Sequence, residues 1–243
     1  MAMAIIQARL GSIRFPGKVL RELHGNSLIS YVINRLQYCK RIDDVIVATT
    51  VNPRDDALVA WCEKNHVKHF RGDENNVLKR YFDAATKFHA NVIVRVTSDD
   101  PFKEPAVIDD VIAMLESENL DFAYNNFPPS FPEGLDTEVF TYEALKKAVY
   151  AETTDFEKEH VTQYFYHNPH IFKCKNLPYE RDVSKIRLTV DTDKDFELAE
   201  AIYERLSPNG EMFCLEDILA LFDAEPDLLN MNKGVKRSAM YEK

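Results

Sequence analysis

Glycine and cysteine are both scarce in this chain of 243 residues, with seven of the first and four of the second. The cysteines, Cys39, Cys62, Cys174 and Cys214, lie far apart and form no C-x-x-C pair. That spacing excludes a zinc ribbon or a disulfide scaffold and fits four reduced thiols in a cytoplasmic protein. No run approaches the roughly 18 apolar residues of a membrane span. The N-terminal apolar run meets Arg9 too soon for a secretory signal. A broad basic surface is missing as well: the net charge is −10, which argues against non-specific nucleic-acid binding. Internal repeats and low-complexity tracts are absent. What is present is an apolar fraction of 45%, enough for a sizeable α/β core. No linker divides the chain, so one domain over 1–243 is expected.

The chain is organised around Ala4 to Leu20, AIIQARLGSIRFPGKVL. The run Ala4-Ile5-Ile6 reads as a short buried strand that turns polar at Gln7. Three cations follow, Arg9, Arg14 and Lys18, and Gly11, Pro16 and Gly17 break any helix among them. Backbone N–H groups and cations gathered after a strand suit a phosphate chain. Two familiar loops are excluded by spacing. A Walker loop has four residues between its glycines and Ser or Thr after the Lys; here five residues separate Gly11 from Gly17, and Val19 follows Lys18. A dinucleotide fingerprint needs a third glycine. The stretch is therefore a triphosphate loop of another kind, or a basic surface loop between a strand and a helix.

Beyond it, apolar spacing predicts helices over 28–38, 55–64, 77–88 and 105–115, alternating with strands over 44–50, 67–70 and 91–96. Such alternation implies a doubly wound, mostly parallel sheet with helices on both faces. Ligands of these sheets bind at the carboxyl ends of strands, where strand order reverses. The second half is less regular. Strands are expected over 122–124, 171–174 and 186–190, and helices over 142–150, 157–167, 195–206 and 215–222. The proline-rich stretch 125–140 begins as a loop and ends as a strand. The polar, basic tail from Asn232 is expected on the surface.

Thr97-Ser98-Asp99-Asp100-Pro101 follows a predicted strand. Adjacent carboxylates there suit a divalent cation, and Ser98 and the aspartates equally suit a helix cap. Asp191 ends another predicted strand. Asp99 and Asp191 with the cationic loop have the makings of a metal–triphosphate site, because Mg²⁺ uses one or two carboxylates plus phosphate oxygens. Glu133, Asp136, Glu138, Glu159 and His160 form a looser polar set. The Glu159-His160 pair offers acid–base chemistry; the plainer reading is a solvated Glu and a packed His. His167 and His170 have H-x-x-H spacing, but Pro169 interrupts the helix and leaves a zinc site unsupported. Arg187 faces a phosphate or pairs with an acid.

Taken in order, the opening stretch, VIVATTVNPRDDALV, HFRGDENNVLKRY, VIVRVTSDDP, FPEGLDTEVF, EHVTQYFYHNP and RLTVDTDKDFELAEAIYERL resemble one family. It is the cytidylyltransferases similar to spore coat polysaccharide biosynthesis protein F, relatives of the acylneuraminate and 3-deoxy-manno-octulosonate enzymes. The resemblance runs to about Leu221. It implies a Rossmann-like sheet of the nucleotide-diphospho-sugar transferase type with a less regular second-half extension. It also implies CTP and a small acceptor as substrates, a CMP-linked product and pyrophosphate.

On that resemblance Arg9, Ser12, Arg14 and Lys18, with Gly11 in the same loop, hold the triphosphate. Ala8, Thr49, Ser98 and the turn Arg71-Gly72-Asp73 lie near the nucleotide. Asp99 and Asp191 hold Mg²⁺, and Arg14, Lys18 and Asp99 carry the chemistry. Asp100, Asn125, Glu133, Asp136, Glu138 and Glu159 line the acceptor pocket. A homodimer is implied, with 125–180 at acceptor and interface. The chain departs from the family pattern at Phe15, where Leu is common, and at Asp100, where Cys is common. Three readings follow: a keto-acid sugar acceptor for surface polysaccharide or glycan, a phosphorylated acceptor, or a catalytically silent nucleotide-binding scaffold. A carboxylate acceptor would need a cation from the second half, with Lys158, Arg181 and Arg187 as candidates.

Overall fold

The computed structural model describes residues 1–12 and 15–238, so the expectations placed on Arg14 lie outside the described residues. Strand β1 (Ala2–Gln7) is buried over nearly its whole length because AMAII carries apolar side chains on both faces. A two-stranded ribbon, β2 (Glu22–Leu23) and β3 (Asn26–Ser27), leads into α1 (Leu28–Gln37). Strand β4 (Asp44–Thr50), α2 (Asp56–Lys64), β5 (Lys68–Gly72), α3 (Val77–Lys87), β6 (Val92–Thr97) and α4 (Pro105–Ser117) complete the alternation. The second half holds β7 (Phe122–Tyr124), β8 (Glu138–Thr141), α5 (Tyr142–Val149), α6 (Asp155–His160), α7 (Gln163–His167), β9 (Cys174–Asn176), α8 (Asp193–Leu206) and α9 (Leu215–Ala224).

The seven-stranded sheet runs β5-β4-β1-β6-β8-β7-β9. Strand β1 pairs in parallel with β4 and β6, placing Gln7 beside Ala48 and Thr97, whereas β8 is antiparallel to β6 and β7. Alternate residues of the central strands feed opposite layers. Ala4, Ile6, Val47 and Val94 pack with α1, α2 and α4; Met3, Ile5, Ile46 and Ile93 pack with α3 and α5. A third cluster joins α8 and α9 to Phe15, Phe102, Phe131 and Leu135. The chain fills β1, β4 and β5 to one side and then crosses to β6. The reversal opens a crevice at the carboxyl ends of β1 and β6.

Four second-half expectations are corrected. The helix expected over 157–167 is two helices broken at Val161, whose φ of 49° and ψ of −62° make a tight γ-turn closed by Thr162 N–H donating to His160 O. The break lets Val161 enter the core while Thr162 Oγ1 donates to Glu138 Oε1 at 2.9 Å. The strand expected over 171–174 begins only at Cys174, because Phe172 packs in the core. Residues 186–190 make only an isolated bridge, Glu133 to Arg187, since a loop rather than a strand lies beside them. Asn232 is buried and donates to Arg187 O and Asp195 Oδ1, so the tail does not simply lie on the surface. Among the described residues no helix is long and apolar enough to cross a membrane.

Candidate active site

The opening loop is shaped by backbone contacts before any ligand is considered. Leu10 N–H donates to the buried Asp55 carboxylate at 2.7 Å, and Gly17 N–H donates to Leu10 O at 3.2 Å. Gly17 takes the left-handed conformation (φ 71°) and turns the chain into the 3-10 segment Lys18–Leu20. That turn sends Lys18 inward, where it is 6% exposed. Its Nζ donates to Asp99 Oδ2 at 2.8 Å, Asp191 Oδ1 at 2.8 Å and Val190 O at 2.9 Å. The two acidic exits are joined directly as well, by Val190 N–H donating to Asp99 O at 2.8 Å. Gly134 (φ 106°) supports this arrangement. A Cβ there would lie 2.7 Å from Thr189 N and 2.8 Å from Leu188 C, so only glycine lets the two backbones approach.

Burial opposes the charged form of both partners, and their mutual attraction outweighs it. Asp99 is held at about 2 because Lys18 and hydrogen bonds from Lys18 and Thr97 overcome desolvation. Lys18 is raised because Asp99 and Asp191 overcome its own desolvation. Adjacent Asp100 moves the other way: burial and the Asp99 charge raise it, only partly offset by Lys103.

This triad opens on a cleft of about 480 Å³ at the reversal point. Of the residues expected there, Ala8, Arg9, Ser12, Lys18, Ser98, Asp99, Glu159 and Asp191 line it. Arg9 lies 3.9 Å from Glu74 and 4.0 Å from Glu159. The other expected residues that the structure describes are not among the lining. In the first half, Gly11 lies under the Arg54 guanidinium, and Thr49 is fully buried. Arg71 pairs with Asp56 and donates to Thr50 O, Gly72 leaves room for Arg80, and Asp73 accepts from the N–H groups of Asn75 and Asn76. Asp100 accepts from Thr97 and pairs with buried Lys103 at 2.9 Å, whose Nζ also donates to Asp136 O.

The acceptor set meets a similar outcome. Asn125 folds its own loop by donating to Leu135 O and accepting from Thr137 N–H. Glu138 pairs with Arg95 at 2.5 Å and accepts from Thr162, with the Tyr166 hydroxyl 3.0 Å away. Glu133 lies 2.8 Å from both Arg187 and Arg237. These residues shape the second half from within. Lys158 pairs with Asp155 and Arg181 with Glu216, both away from the cleft. Arg187 meets acids, not an open phosphate position.

The cleft also recruits Gln7, Val77, Arg80, Thr97 and His160. Gln7 carried a signal, as the first polar residue after an apolar strand. Arg80 carried none. It is 2% exposed, donates to Asp73 O at 2.7 Å, and keeps a buried Nε without a hydrogen-bond partner. Among the described residues it has no carboxylate within 4.0 Å. Burial lowers its pKa, and Arg9 adds to that effect. A separate depression of about 520 Å³, lined by Tyr31, Tyr38 and Tyr203, lies off the strand exits. Its Arg35 already donates to Lys103 O and Phe213 O.

A mostly parallel sheet with a cationic loop at its reversal point, where Asp99 after β6 meets Asp191 from the loop before α8, is the arrangement of a nucleotidyltransferase of the nucleotide-sugar type. The chain belongs to the cytidylyltransferase family, whose model matches residues 3–217. It is 32% identical to the spore coat polysaccharide biosynthesis protein SpsF of Bacillus subtilis, over 92% of this chain and 94% of that one. Over a shorter stretch, 46% of this chain and 44% of the other, it is 35% identical to the 3-deoxy-manno-octulosonate cytidylyltransferase of Geobacter sulfurreducens. The solved structure of a cytidylyltransferase from Leptospira borgpetersenii serovar Hardjo-bovis superposes with a TM-score of 0.89 at 31% identity, covering 97% of this chain and 99% of that one. The protein is thus a CTP-dependent nucleotidyltransferase.

Proposed function

We propose that the enzyme transfers CMP from CTP to a keto-acid sugar, releasing pyrophosphate, in the making of surface polysaccharide or glycan precursors. The observation that carries the site assignment is the convergence of Asp99 and Asp191 on one cation, the Lys18 ammonium, 2.8 Å from each. Two carboxylates, one after β6 and one from the loop before α8, with phosphate oxygens completing the shell, are a donor set suited to Mg²⁺. Asp99 and Asp191 would hold Mg²⁺, which when bound supplies charge neutralisation to the phosphates.

The chain's own residues do the rest. Arg9, Ser12 and Lys18 bind the triphosphate, and Lys18 stabilises the negative charge that builds up as pyrophosphate leaves. An acceptor oxygen attacks the α-phosphorus in line. Of the two adjacent aspartates Asp99 lines the cleft and Asp100 does not, so the proton of a hydroxyl acceptor falls to Asp99. Arg80 gives the α3 wall a positive charge for an anionic substrate group, in the place foreseen for Lys158, Arg181 or Arg187. The enzyme works as a homodimer on this reading.

The test is pyrophosphate release with Mg²⁺, each of the four nucleoside triphosphates, and keto-acid sugars, sugar phosphates and small phosphate esters as acceptors. Release with CTP and a keto-acid sugar is expected. Release only with a phosphorylated acceptor would overturn the acceptor assignment and leave the chemistry standing.

A further inference from the structure

We propose that Arg187, clamped from behind by Asn232 and Arg237, is the positioning residue that aims Asp191 into the cleft. The inference rests on the reading of Asp191 as a metal ligand. Among the described residues, two cations meet the Asp191 carboxylate. Oδ1 accepts from Lys18 Nζ at 2.8 Å on the cleft side, and Oδ2 accepts from Arg187 Nη2 at 3.1 Å behind it. A carboxylate held through one oxygen by a buried guanidinium presents the other in a fixed direction. Partners of this kind typically set the geometry and affinity of a metal site.

Arg187 is itself over-determined. It is 6% exposed, and Asp195 accepts from its Nε at 2.9 Å and Nη2 at 3.2 Å. Asp195 Oδ2 also accepts Asp191 N–H at 3.1 Å, so one carboxylate fixes both the guanidinium and the backbone that carries Asp191. Nη1 lies 2.8 Å from Glu133 Oε1, an ion pair outside hydrogen-bond geometry. Glu133 is in turn held by Arg237 Nε at 2.8 Å and Ser238 N–H at 2.9 Å. Asn232 closes the clamp, donating to Arg187 O at 3.1 Å and Asp195 Oδ1 at 3.0 Å. Asn232 and Arg237 lie beyond residue 217, where the family match ends. The described residues past that point therefore support the Asp191 carboxylate without being among the lining of the cleft.

Lysine at 187 keeps the charge but cannot reach Glu133, Asp191 and Asp195 together, because only a guanidinium has the planar fork. The experiment measures Mn²⁺ affinity by electron paramagnetic resonance on the full chain with saturating CTP and no acceptor, against a CTP blank. Arg187→Lys is expected to weaken Mn²⁺ binding about 10-fold, and Arg237→Gln by a smaller factor, with wild-type circular dichroism. Arg237 is partly exposed, so its variant keeps the test open if Arg187→Lys does not fold. Wild-type affinity in the folded arginine variants, with weakened binding in Asp191→Asn, overturns the positioning role alone. Wild-type affinity in Asp191→Asn overturns the metal reading and this proposal with it.

Discussion

The two halves of the molecule are held together by different forces. Through α4 the chain is a layered sheet whose strands bury Ala4, Ile5, Ile6, Val47 and Val94 and whose helices turn apolar stripes inward. After β7, an apolar cluster around α8 and α9 is supplemented by buried ion pairs that fasten the loops: Arg95–Glu138, and Arg187 with Glu133, Asp191 and Asp195. Apolar burial is non-directional and tolerates small changes. A buried ion pair is directional, and removing one partner strands a charge. The proposed active site lies where the two regimes meet, with Lys18 from the first half and Asp191 from the second.

If that contrast is right, single changes should cost more in the second half. Glu138→Ala leaves Arg95 buried without its carboxylate and should destabilise by about 3–5 kcal/mol, read by urea unfolding. Ile6→Val in the central strand removes one methyl group and should cost about 0.5–1.5 kcal/mol in the same assay. Equal costs would erase the contrast. At the junction, Lys18→Ala should lower turnover about 10²–10³-fold while circular dichroism shows the fold retained. Normal pyrophosphate release by that variant would remove Lys18 from the mechanism.

The junction also has a pH signature. The folded-state pKa of Asp99, about 2, lies below its unfolded value near 4, so its contribution to stability is present above about pH 4. It is lost as pH falls through about 2. The stability advantage of wild type over Asp99→Asn should therefore be constant from about pH 5 to 7 and shrink between about 4 and 2. A difference that holds down to pH 2 would contradict the Lys18–Asp99 pair. The smallest effects are expected from Lys158→Ala and Arg181→Ala. Each breaks an exposed, solvent-screened pair and should leave stability and the acceptor KM unchanged.

The same contrast explains what could be read from sequence. The strands and helices through α4 were legible because apolar spacing reports burial, and Pro and Gly punctuate the turns. The loop around Lys18 and the acidic exit at Asp99 were legible because charges rarely cluster after buried strands without reason, whereas Asp191 was picked out on a strand that proved to be a loop. The acceptor residues were harder. Glu133 and Glu138 are carboxylates in a proline-rich loop and its following strand, a pattern that suits a ligand site. Their partners, Arg187 and Arg95, are distant in sequence, and only the fold reveals that these acids are already engaged. Residues 186–190 alternate like a strand, but Leu188 and Val190 enter the α8–α9 cluster while Arg187 turns to the ion pairs. The break at Val161 follows from tertiary packing, with Thr162 drawn to Glu138, and leaves no mark in local propensity. Arg80 looked like an ordinary polar position on an amphipathic helix, yet it is buried at the cleft.

The central claim is that Asp99, Asp191 and Lys18 form one site for a divalent cation and the CTP triphosphate. Calorimetric titration of CTP with and without Mg²⁺ tests it without knowledge of the acceptor. Mg²⁺ should tighten CTP binding to the wild type and have no such effect on the Asp99→Asn, Asp191→Asn double variant. The same gain from Mg²⁺ in both proteins would contradict the account.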